Sequence, residues 1–148
     1  GITLRELIDE HAGGMADGHQ LHAYLPGGAS GGILPAALAE LPLDFDTLAA
    51  QGAFVGSMAV VVLSQQDRVR EVASGLMRFF EHESCGQCTP CRAGTAQARA
   101  LMQAPAWDAD RLAELSQVMR EASICGLGQA APNPFDSVLR FFPREVQP

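Results

Sequence analysis

The residues able to do chemistry are unevenly placed. Three of the four cysteines, Cys85, Cys88 and Cys91, share the run SCGQCTPCRAG, and the fourth, Cys125, follows much later in ICGLGQ. The pattern is C-x2-C-x2-C, a gap over residues 92–124, then C. Only small, polar or turn-forming residues separate the first three. Thiolates at such spacing are ligands for soft metals, or partners in disulfides, or unrelated core residues.

Four readings compete. Disulfides between cysteines two residues apart in a tight loop are strained, and a reducing compartment disfavours them. Unrelated buried cysteines explain single occurrences but not three at one spacing. Structural zinc is the serious rival, although zinc sites usually arrive as two separated pairs rather than a triplet and a singlet. His82 lies near and would be a fifth candidate for four places. A [4Fe–4S] cluster matches the compact triplet, whose short loops wrap three corners of a cube while a remote cysteine takes the fourth. Cys125 is followed by Gly and stands alone, which implies one cluster. Gly86 and Gly126 would let backbone N–H groups approach the sulfurs, and a helix starting near Pro90 would aim its positive end at them. Arg92 stands beside the triplet, either as added positive charge or as a solvated helix residue.

Other candidates are weaker. His11, His19, His22 and His82 are the only histidines, and with no Asp or Cys completing a set they read as surface or loop residues. Asp44 and Asp46 in LDFD are unpartnered, and helix capping is their expected role. The glycine-rich PGGASGG, residues 26–32, lacks the spacing of a dinucleotide fingerprint and reads as a structural turn.

The elements that must position the thiols divide the chain near residue 65. Upstream, Thr3 can cap a short helix with Leu4, Leu7, Ile8 and His11 on its apolar face, stopped at Gly13-Gly14. HQLHAYL alternates, with Leu21, Ala23 and Leu25 on one face and His22 and Tyr24 on the other, a half-buried strand. Pro35 and Pro42 break ILPAALAELPLDF into short pieces, and MAVVVL, residues 58–63, reads as a buried strand. Downstream, Val69, Val72, Ala73, Leu76, Phe79 and Phe80 recur at helical spacing. A second helix follows the triplet, with Thr89 and Pro90 as cap and first-turn proline. A third, behind an Asp cap, shows Leu112, Leu115, Val118 and Ala122. NPFDSVLRFF predicts a fourth, with Phe135, Val138, Leu139 and Phe142 inward. The Phe79-Phe80 and Phe141-Phe142 doublets cannot both face a core, so one of each is free for a partner. The expected fold is α+β, a small unit over 1–65 followed by an all-α helical bundle over 66–148. Halves of this size hold a marginal core, and a bound metal centre would staple the second.

Composition limits the function. The chain has 148 residues, 47% of them hydrophobic and 18% charged, a globular balance. Its formal net charge of −7 repels phosphate backbones, and one Trp and one Tyr leave little for base stacking. No apolar run nears the roughly 20 residues that span a bilayer, so no membrane insertion is expected. No signal peptide is recognisable, and the default compartment is the cytoplasm. The start at Gly1, without an initiating Met, suggests a piece of something longer.

ESCGQCTPCRAGT followed by ICGLGQAAPNPFDSVLRFF resembles the C-terminal iron–sulfur domain of the flavoprotein subunits of NADH-linked dehydrogenases. That family includes the 51-kDa-type subunit of respiratory complex I, the diaphorase subunits of NAD-linked hydrogenases and the beta subunit of NAD-dependent formate dehydrogenases. Upstream, LPGGASGGILP and LDFDTLAAQGAFVGSMAVVVL resemble its ubiquitin-like soluble-ligand-binding β-grasp domain, placing that domain at 1–65 and the cluster domain at 66–148.

The resemblance implies that Cys85, Cys88, Cys91 and Cys125 are the four ligands of a [4Fe–4S] cluster. It implies electron transfer between an FMN, which exchanges hydride with NAD(H), and further iron–sulfur centres. The FMN and NADH sites belong to a preceding Rossmann-like domain with no counterpart here, so this chain alone should bind neither tightly and should be inactive with NADH. The implied partners are that domain, upstream or in a separate chain, a [2Fe–2S] subunit and an iron–sulfur or catalytic subunit. GLGQAAPNP looks closer to the formate dehydrogenase and hydrogenase-linked members than to complex I, with formate dehydrogenase favoured. A zinc-stapled interaction module is the alternative from another class.

Overall fold

The structure, a computed structural model, describes residues 1–147. The chain forms two compact units, one over Gly1–Arg68 and one from Val69 onward. The architecture is mixed α/β, with a small sheet in the first unit and helices in the second.

The first unit opens with α1 (Leu4–Glu6), which continues as one π-helical stretch over Leu7–His11. Thr3 caps it: its hydroxyl accepts the Glu6 N–H at 3.1 Å and the Glu6 carboxylate accepts the Thr3 N–H at 2.8 Å. Leu4 and Ile8 are buried, whereas Leu7 is half-buried and His11 exposed. The wider π turn shortens the apolar stripe that the sequence suggests. Three antiparallel strands follow, β1 (Leu21–Leu25), β2 (Leu34–Pro35) and β3 (Val61–Ser64), in the order β2-β1-β3. Leu21 pairs with Ser64 and Ala23 with Leu63, so His22 is the extra residue of a bulge.

Tyr24 does not lie on a solvent face. It is fully buried, because the 3-10 turn at Ala36–Leu38 covers it and the Leu38 carbonyl accepts its hydroxyl at 3.0 Å. Burial pushes its hydroxyl up to about 12. The expected buried strand over MAVVVL is also corrected. Its ordered part is β3, an edge strand in which Val61 and Val62 are 43% and 37% exposed, and Met58 precedes it at 67%. The valines mark strand propensity there rather than burial.

Between β2 and β3 lies α2 (Phe45–Ala49), capped by Asp44, whose carboxylate accepts the Thr47 N–H at 2.8 Å. That hydrogen bond holds the Asp44 carboxyl below its usual value. PGGASGG is a packed turn. Ser57 donates its backbone N–H to the Gly27 carbonyl at 3.1 Å, and Phe54 donates to Gly31 at 3.2 Å. A Cβ on Gly27 would stand 2.1 Å from the Val55 carbonyl oxygen, so only glycine fits.

The second unit contains α3 (Val69–Glu83), α4 (Thr89–Met102), α5 (Ala109–Ala122), α6 (Gly126–Ala130), α7 (Asn133–Phe141) and α8 (Pro143–Val146). Helices α3, α4, α5 and α7 pack on one another. Their buried positions include Met77, Phe80, Ala98, Met102, Leu112, Met119, Phe135 and Val138. On α5 the inward stripe is Leu112, Ser116 and Met119; Val118 is 52% exposed and Ala122 is exposed. The stripe is rotated from the expected one because Ser116 is buried through polar bonds. Its hydroxyl donates to Asp136 Oδ2 at 2.6 Å and accepts the Arg120 Nε–H at 3.1 Å. Arg120 also donates to Asn133 Oδ1 at 2.6 Å and to Asp136 at 2.7 Å, fastening α5 to α7. Arg99 and Glu81 pair at 2.6 Å between α4 and α3. Of the phenylalanine doublets, Phe80 and Phe142 are buried, Phe79 is 48% exposed, and the Arg140 guanidinium lies over Phe141 at 4.7 Å.

Candidate metal centre

Helix α3 delivers the chain to the cysteine loop. Its last turn closes with the Ser84 N–H donating to Phe80 at 3.0 Å, and Cys85 follows immediately. Gly86 takes a positive φ of 75°, which turns the loop back toward α4. Cys88 is itself the N-cap of α4, with Pro90 in the first turn and Cys91 one position further. The expected cap, Thr89, is instead the first helical residue, and the cap is a cysteine. The positive end of the 14-residue α4 therefore faces Cys88 and Cys91, which favours thiolates there.

The fourth cysteine comes from a distant stretch of the chain. Helix α5 ends at Ala122, Ser123 turns into extended backbone, and Cys125 caps α6. The Gln129 side chain donates to the Ser123 carbonyl at 3.0 Å, fixing this turn. The two segments meet at Cys88. Its thiol is held below the ordinary value first by the Ile124 N–H and next by the Cys91 N–H, against an opposing effect of burial.

All four thiols are free and all four line one cavity of about 420 Å³, together with Glu83, Ser84, Gln87, Ile124 and Leu127. Cys91 is buried, Cys88 intermediate, and Cys85 and Cys125 are exposed. The structure thus brings together the four cysteines that the sequence singles out. His82 is not among the lining residues; its side chain is 84% exposed and bonds Glu83 at 3.0 Å.

The donor set fits an iron–sulfur cluster. Four free cysteines lining one cavity supply the thiolate donors that such a cluster takes. The buried Ser123 hydroxyl, packed against the Gly128 backbone beside Cys91, makes no hydrogen bond among the described residues and so has its proton available to a group at the site.

The Gly86 N–H goes to Ser84 Oγ at 3.3 Å, and the amide groups that favour the Cys88 thiolate are chiefly those of Ile124 and Cys91. Arg92 is a strap: it donates to the Gly86 carbonyl and, at 3.3 Å, to Thr89 Oγ1. Sequence reasoning misses Ser84, Ser123, Ile124 and Gly128. Ser84 Oγ lies 3.2 Å from Cys91 Sγ. A Cβ on Gly128 would stand 2.5 Å from Ser123 Oγ and 2.9 Å from Cys91 Cβ. Only the glycine spacing in CGLG hints at this, since a bare backbone lets a helix approach closely.

Residues 71–148 match the family described as the NADH-ubiquinone oxidoreductase-F iron-sulfur binding region. The F subunit of the NADH-quinone oxidoreductase of Rickettsia rickettsii (strain Sheila Smith) is 37% identical over 154 residues, covering 99% of this chain and 37% of the relative. Its counterpart in Rickettsia bellii (strain OSU 85-389) is 38% identical over 155 residues, with the same two coverages. The chain therefore spans about 37% of the length of these curated relatives. Among solved structures, an NAD+-reducing [NiFe]-hydrogenase in the H2-reduced state matches with a TM-score of 0.83 and 30% identity. That match covers 100% of this chain and 26% of the hydrogenase chain.

Proposed function

Because the chain belongs to the NADH-ubiquinone oxidoreductase-F iron–sulfur binding region family, we propose that it is a one-electron relay. Cys85, Cys88, Cys91 and Cys125 are the ligands of its [4Fe–4S] cluster. The observation that carries this reading is that four free thiols from two distant segments line one cavity. When bound, the cluster supplies a reversible one-electron couple and makes or breaks no substrate bond. The protein's own work is to hold the thiolates and limit their rearrangement. The α4 N-terminus and the Ile124 and Cys91 N–H groups stabilise negative charge on sulfur, and Arg92 fixes the Cys85–Cys88 loop.

In the complete protein the electron passes between FMN, which exchanges hydride with NAD(H), and the next iron–sulfur centre. The FMN and NADH sites lie outside this chain, which alone oxidises no NADH. Its partners are the flavin domain, a [2Fe–2S] subunit and an iron–sulfur or catalytic subunit, in the cytoplasm. We assign residues 1–65 to a soluble-ligand-binding β-grasp domain and 66–148 to a helical bundle around the cluster. The finer assignment, to the formate dehydrogenase type, rests on GLGQAAPNP after Cys125. Co-purification with formate-, hydrogen- or quinone-reactive subunits decides it.

Anaerobic reduction followed by EPR tests the relay. A brown protein that develops a fast-relaxing S = 1/2 signal on reduction, with NADH inert as direct reductant of the isolated chain, is the expected outcome. A colourless protein with one zinc and no EPR signal would overturn it.

A further inference from the structure

Ser84 lines the cysteine cavity, and Ser123, on the other contributing segment, is buried one residue before the lining residue Ile124. Ser84 Oγ is 3.2 Å from Cys91 Sγ and accepts the Gly86 N–H at 3.3 Å. A hydroxyl has one proton and two lone pairs. With a lone pair engaged by Gly86 and the sulfur bare as a thiolate ligand, the Ser84 proton has Cys91 Sγ as its acceptor. Ser123 is only 6% exposed, and its Oγ has no hydrogen-bond partner among the described residues. Buried hydroxyls are seldom left unpaired. The Gly128 backbone closes one side of it, next to Cys91.

We propose that Ser84 and Ser123 are positioning residues that donate hydrogen bonds to sulfur at this site, Ser84 to the Cys91 thiolate, and thereby raise the reduction potential of the cluster. The proposal rests on the cluster reading above. Its physical basis is that reduction adds negative charge to the cluster and its sulfurs. A donor to sulfur therefore stabilises the reduced form more than the oxidised one. Atoms balance trivially: one electron enters, no bond breaks and each hydroxyl keeps its proton.

The test compares wild type, S84A, S123A and S84T in the cluster-loaded protein by EPR-monitored redox titration, with iron and acid-labile sulfide measured on each sample. The expected result is a full cluster in S84A and S123A with a lower midpoint in both. At fixed ambient potential the reduced-to-oxidised ratio falls on the order of tenfold, which is about 59 mV for one electron. S84T, which keeps the hydroxyl, retains the wild-type midpoint. Full clusters with unmoved midpoints in both alanine variants overturn the serine assignment. Should S84A lose iron, S84T decides for Ser84: an unshifted midpoint supports the hydroxyl's role and a shifted one contradicts it. A wild-type protein without inorganic sulfide contradicts the cluster reading itself, a failure distinct from that of the serines.

Discussion

A side-chain carbon on Gly128 would stand 2.9 Å from the Cβ of Cys91, although the two residues belong to different helices. This approach holds the α6 segment, and with it Cys125, against the first turn of α4. Substitution G128A has no room on that side, because Ser123 Oγ at 2.5 Å and Cys91 are both part of the site. The expected cost is about 1–3 kcal/mol from overpacking, together with a clear loss of bound iron per chain. Thermal melting and iron analysis of the same preparation check both.

Removal of the metal centre should loosen the helical unit. In the proposed assignment four ligands from two segments close a long loop, and binding energy of this kind is also folding energy. Extraction of iron under denaturing conditions and refolding should give a chain that melts more than about 10 °C lower, since 1 kcal/mol shifts a unit of this size by roughly 4–8 °C. Differential scanning calorimetry of both forms is the check; coincident melts would contradict the stapling role.

Arg120 predicts a purely structural effect. Its guanidinium bonds Ser116, Asn133 and Asp136, tying α5 to α7. The pair with Asp136 is partly exposed, 42% and 30% for the two side chains, which weakens it. R120A should cost about 1–2 kcal/mol in chemical denaturation and leave the iron content unchanged.

Tyr24 is the chain's only tyrosine, so tyrosinate absorbance reports it alone. Its folded value, raised by burial to about 12 against an ordinary 10.0, means that the folded protein holds the phenolic proton more tightly than the unfolded one. The stability linked to it is complete below pH 10 and is lost as pH rises through about 12. Difference absorbance should show a midpoint near 12 in the folded protein and near 10 in denaturant. Y24F should lack this component of alkaline destabilisation.

Much of the site was legible because its signal is local. The spacing of Cys85, Cys88 and Cys91 marks a metal loop without reference to the rest of the fold, and Thr3, Asp44 and Asp108 mark helix starts by the same local chemistry. What escaped depends on tertiary context. The inward face of α5 is turned toward Ser116 because a buried hydroxyl can be satisfied by Asp136, a partner that periodicity does not see. The apolar run ending in β3 carries strand propensity but sits at a sheet edge. Tyr24 alternates as a surface residue and is covered by the turn that follows β2. Ser84 and Ser123 carry no motif of their own; the role proposed for them depends on two distant segments meeting at one cavity.

The central claim is that Cys85, Cys88, Cys91 and Cys125 together hold one [4Fe–4S] cluster. Mössbauer spectroscopy of the iron-57-enriched protein, isolated anaerobically, tests it most directly when combined with acid-labile sulfide analysis of wild type and C125A. The account predicts four irons and four sulfides per chain in the wild type, with the doublet of a diamagnetic cubane, and loss of that doublet in C125A. A wild-type protein without sulfide, or a C125A protein with an unaltered four-iron spectrum, would contradict it.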